Sequence, residues 1–97
     1  MEYHKAQSIG DLLAEFIRGS ELEKPLLERK VIALWPELFG PTVAQMTSDI
    51  SVKDGVLYVH IRSAALRSQL FECRFDLVKK LNKAAGAKVI KDIRLLG

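Results

Sequence analysis

A chain of 97 residues with 48% hydrophobic and 28% charged side chains has the mixture of an ordinary globular domain, which argues against a disordered segment and leaves no room for a second core. No run approaches the ~20 consecutive apolar residues of a membrane-spanning helix, and the first five residues lack the apolar stretch of a signal peptide, so the expected compartment is the cytoplasm. The net charge of +3 conceals an asymmetry: residues 1–56 hold six Lys/Arg against nine Asp/Glu, and residues 57–97 hold nine against three, so a polyanion would meet the C-terminal part first.

The chain has no repeat and no linker, and one domain over residues 1–97 is expected. Ser8 reads as an N-cap, and Leu12, Leu13, Phe16 and Ile17 then fall on one helical face until Gly19. Ser20 and Glu23 have capping-box spacing and open a second helix, whose stripe of Leu26, Leu27, Val31, Leu34 and Trp35 ends at a break forced by Pro36. One further turn closes at Gly40, and Val43 to Met46 can form another. Trp35 is expected to plug the core.

From Asp49 the period changes to two. Ile50 and Val52, then Asp54-Gly55, then Leu57, Val59 and Ile61 predict an antiparallel hairpin with those last three side chains facing the core. Ser63 can cap a long third helix over residues 64–85, with Gly86 as its C-cap. Leu66, Leu70, Cys73, Leu77 and Leu81 form its core stripe, and the lone Cys73 is expected to be a buried thiol. Residues 88–96 predict a last strand. The order of helix, helix, hairpin, helix and strand gives an α+β fold with helices on one face of a three-stranded sheet, an arrangement that resembles the KH domain.

The chemistry of an enzyme is not legible here. His4 and His60 have no second ligand at metal-binding spacing, Cys73 has no neighbouring Cys or His, and no glycine-rich phosphate loop or GxSxG elbow is present. The expectation is a protein without catalytic residues, cofactor, metal or small-molecule substrate. The informative pattern lies on the third helix. Beside the core stripe run Arg67, Phe71, Arg74 and Val78, with Phe75 adjacent, so guanidinium groups flank aromatic rings.

Arginines neutralise phosphates and rings stack on bases, which suits single-stranded nucleic acid, although the two phenylalanines also suit a place in the core. Lys79, Lys80 and Lys83 extend the charge along the helix, and Lys88, Lys91 and Arg94 carry it onto the last strand. On the sheet, Tyr58, His60 and Arg62 share one strand face. Arg62, Arg67, Arg74, Lys79, Lys80 and Lys83 are therefore the expected phosphate-facing residues. A protein adaptor docking through Trp35, Phe39, Phe71 and Phe75, or an RNA-binding sheet, fits the same residues.

Trp35-Pro36-Glu37-Leu38-Phe39-Gly40 with Val43-Ala44, then Asp54-Gly55-Val56-Leu57-Tyr58-Val59, Ser63-Ala64 leading to Gln69-Leu70, Leu81-Asn82 and a closing Ile93-Arg94 follow one another in an order that resembles the DciA family over residues 8–96. The resemblance implies a KH-like domain that binds the bacterial replicative helicase, assists its loading or activity on DNA, and contacts single-stranded DNA without an ATPase of its own. Leu66, Phe71 and Tyr58 are the expected partner-contact residues. Leu66 stands where family members usually carry Trp, many members extend beyond the point corresponding to Gly97, and the GxxG loop of ordinary KH domains is absent.

Overall fold

The computed structural model describes residues 19–97, so the helix expected over residues 8–17 lies outside the described residues. Helix α1 (Glu23–Met46) leads into strands β1 (Thr47–Lys53) and β2 (Val56–Ile61), helices α2 (Ala64–Glu72) and α3 (Arg74–Ala85), and strand β3 (Asp92–Leu96). The sheet order is β1-β2-β3, with β2 antiparallel to β1 and parallel to β3. A parallel neighbour requires a crossover connection, and α2 and α3 supply it. This is the expected α+β, KH-like arrangement.

Local chemistry accounts for most boundaries. Asp54 and Gly55 both take positive φ (54° and 78°), the mirror-image turn whose twist matches the two strands it joins. Leu57, Val59 and Ile61 are fully buried and Ile93 nearly so, which places the helices on that side of the sheet. The Ser63 hydroxyl accepts the Leu66 N–H at 3.2 Å and caps α2, and Gly86 ends α3 in the left-handed region at φ 83°.

Four local features differ from expectation. Helix α1 runs through Pro36 and is interrupted at Gly40 instead (φ 91°, ψ 172°). Pro36 removes one backbone hydrogen bond, but Val31, Trp35 and the partly buried Phe39 lie at steps of four on the core side of the same helix, and their packing keeps the segment helical past the proline. Pro41 then occupies the first turn of the resumed segment, where its missing N–H costs nothing.

The long third helix is two helices divided at Cys73 (φ −110°, ψ 20°), where the Cys73 N–H bonds the Leu70 carbonyl at 3.2 Å in a tightened turn. The break leaves Leu70, Leu77 and Leu81 buried and Cys73 only partly so. Residues 88–91 are irregular, and the strand starts only at Asp92. At the start of α1 the capping box is replaced by a neighbouring pattern: the Glu23 carboxylate accepts the Gly19 N–H at 3.0 Å and the Ser20 hydroxyl accepts that of Leu22 at 3.2 Å.

Trp35 is the core plug that the sequence predicts. It is 1% exposed, meets the Phe39 ring edge-on at 4.9 Å, and its indole Nε1 donates to the Thr47 hydroxyl at 3.1 Å. That hydroxyl in turn donates to the Val43 carbonyl at 2.7 Å, which ties the end of α1 to the first residue of β1.

Candidate nucleic-acid interface

The arginines and lysines that read as one surface in the sequence occupy two kinds of setting. Arg62 is exposed at the end of β2, and its guanidinium donates to the Gln45 carbonyl while its backbone N–H donates to that of Met46. Arg67, on α2, reaches back to donate to the Ile61 carbonyl. Both brace the corner where α1, β2 and α2 meet.

Arg74 opens α3 and is held from three directions. Its Nη1 donates to the Phe71 carbonyl at 3.1 Å, its Nε stands 3.5 Å from the Asp92 carboxylate on β3, and its guanidinium carbon lies 4.0 Å from the Phe71 ring centre and 4.4 Å from that of Phe75. Each such cation–ring contact contributes about 0.5–1 kcal/mol at an exposed site. The two rings are at the surface, not in the core: Phe71 is 54% exposed and Phe75 57%. The elbow between α2 and α3 therefore presents to solvent two exposed rings stacked against one guanidinium.

The lysines gather at the other end of α3. Lys79 and Lys83, one turn apart on the same flank, line an open groove of about 540 Å³ together with Asn82, Lys88 and Lys91, over a floor that includes Val78 and Ile90. Lys80 is about 100° from Lys79 round the helix and does not line the groove. A second hollow of about 340 Å³ shares Lys88, Ile90 and Lys91 with the first and adds Lys24 and the Asp54-Gly55 turn. None of these lysines has a carboxylate within ion-pair distance among the described residues.

Asn82 fixes the far wall of the groove. Its carbonyl oxygen accepts the backbone N–H groups of Val89 and Ile90 at 2.9 and 3.0 Å, and its amide nitrogen donates to the Ile90 carbonyl at 2.8 Å. Lys91 is anchored by its N–H to the Gly55 carbonyl at 2.7 Å, and its side-chain stem passes over Gly55, where a Cβ would stand 3.5 Å from the Lys91 Cγ. Lys88 and Lys91 thus rise from an ordered segment despite its irregular backbone. That Asn82 organises this corner is not legible in the sequence, where an asparagine near a helix end reads simply as a polar surface residue.

The remaining expected site residues lie on separate surfaces. Leu66 is partly buried and packs against the core. Tyr58 and His60 are partly buried on the sheet face opposite the helices, where Tyr58 aligns with Ser51 and Arg94, and His60 with Asp49 and Leu96. Phe71 lies on the elbow between α2 and α3 and not on the sheet. Among the described residues no three His, Cys, Asp or Glu side chains come together in a way that could hold a metal ion, and no helix is long and apolar enough to cross a membrane.

A family model described as "Dna[CI] antecedent, DciA" matches residues 8–95. The chain belongs to the DciA family. Among curated proteins, this DciA-family chain is 26% identical over 92 residues to a UPF0232 protein of Corynebacterium glutamicum, covering 95% of this chain and 52% of the relative. It is 29% identical over 70 residues to one of Rhodococcus jostii (72% and 37% of the two chains), and 26% identical over 91 residues to one of Mycolicibacterium paratuberculosis (94% and 50%). The DciA-family chain spans about half the length, or less, of these relatives.

The residues that carry the resemblance are largely those that hold the DciA-type fold in place. Trp35 fills the core, Gly40 supplies the positive φ that interrupts α1, Asp54-Gly55 closes the hairpin, and Asn82 ties down the segment before β3.

Proposed function

We propose that this chain is a non-enzymatic accessory module of DNA replication that binds the replicative helicase and single-stranded DNA and so assists helicase loading or activity. Family membership supports the helicase-loader-like role. The observation that carries the partner half of the reading is the exposed Phe71–Arg74–Phe75 stack. Aromatic and arginine side chains dominate the binding energy of protein interfaces, and two rings packed on a fixed guanidinium are already ordered before a partner arrives. The DNA half rests on the basic C-terminal part of the chain.

Calorimetric titration of this chain into the replicative helicase of its own organism tests the reading. A complex is expected, and changing both Phe71 and Phe75 to Ala should weaken it at least ~10-fold, as loss of two interface anchors implies. Absence of any complex with the wild-type chain overturns the helicase assignment, and a complex indifferent to the double substitution removes the stack from it. The adaptor reading, in which protein is bound and DNA is not, draws on the same stack. It separates from the first because protein docking through aromatic rings tolerates salt, whereas binding to DNA phosphates does not.

A further inference from the structure

We infer that the lysine-lined groove between α3 and the segment before β3 is the track for the phosphodiester backbone of single-stranded DNA, an inference that rests on the DNA-binding reading above and gives it a location. Lys79 and Lys83 form one wall, Lys88 and Lys91 the other, and the adjoining hollow continues the positive line to Lys24. Across the two hollows five lysines face one carboxylate, that of Asp54.

A protein meets a nucleic-acid backbone by displacing condensed counterions with its own cations, so ammonium groups without acid partners are the useful ones. These lysines meet that condition among the described residues, while Arg74 is paired with Asp92 and Arg62 and Arg67 donate to backbone carbonyls. The Asn82 clamp and the Lys91–Gly55 hydrogen bond hold the two walls in a fixed relation, which lowers the ordering cost of binding. Phe75 lies four residues before Lys79 on the same helix flank, so the track begins beside the aromatic stack.

The test is fluorescence anisotropy of a labelled oligothymidylate over a salt series with the wild-type chain, Lys79→Ala/Lys83→Ala, Lys88→Ala/Lys91→Ala, and Lys80→Ala as a control off the groove. Four lysines on four phosphates give a slope of log K against log salt of about −2.8, and each double substitution should bring it to about −1.4. Lys80→Ala, which lies off the groove, should leave the slope unchanged. If the wild type binds and neither double substitution changes the slope, the groove is not the track although the DNA-binding reading stands. If the wild type binds no oligothymidylate at low salt, both fail together.

Discussion

The arginines around α2 and the lysines at the far end of α3 carry the same charge, yet their surroundings differ in kind. Arg62, Arg67 and Arg74 donate to the carbonyls of Gln45, Ile61 and Phe71, and Arg74 also faces Asp92. Lys79, Lys83, Lys88 and Lys91 line a groove with no acid in ion-pair distance among the described residues. The planar guanidinium, with five donors in a fixed fork, suits bracing a corner of backbone, whereas the ammonium on its flexible stem suits a mobile counterion for phosphate. Basic residues in a sequence are therefore not interchangeable evidence for a polyanion site. What decides is whether the fold already uses their hydrogen bonds.

Substitutions in the two regions should have different consequences. The largest effect is expected for Asn82→Ala, which strips three hydrogen bonds from the segment before β3 and leaves the backbone of the buried Ile90 short of partners. A loss of about 2 kcal/mol in denaturant unfolding is expected, together with weaker DNA binding because Lys88 and Lys91 lose their fixed wall. Arg74→Ala should come next, at about 1 kcal/mol, from two ring contacts and a partly exposed ion pair.

Arg67→Ala should cost a similar amount, about 1 kcal/mol, through the lost bond to Ile61. Lys79→Ala/Lys83→Ala should change stability by less than about 0.5 kcal/mol while reducing DNA affinity. An arginine variant that keeps full stability but loses DNA binding would erase the distinction between the two regions.

Much of the fold is legible from the residues because the relevant signals are local. The Asp54-Gly55 turn, the alternation of Leu57, Val59 and Ile61, the Ser63 cap and the Gly86 stop each depend on a few adjacent side chains. What escapes is set by contacts between distant segments. Pro36 signals a break that burial of Trp35 and Phe39 on either side overrides, and the division at Cys73 involves neither glycine nor proline.

The surface is harder to read for the same reason. Phe71 and Phe75 have the spacing of core residues as well as of exposed ones, and only the elbow at Cys73 puts them outside. Lys88 and Lys91 look like part of a strand, and the Asn82 clamp brings them opposite Lys79 and Lys83.

Which of the two basic regions meets DNA can be seen directly by following backbone amide resonances of the isotope-labelled chain during titration with unlabelled oligothymidylate. The largest shifts are expected at Lys79, Lys83, Lys88 and Lys91, with residues 62–67 little changed. Shifts concentrated at Arg62 and Arg67, with the lysine groove silent, would contradict it.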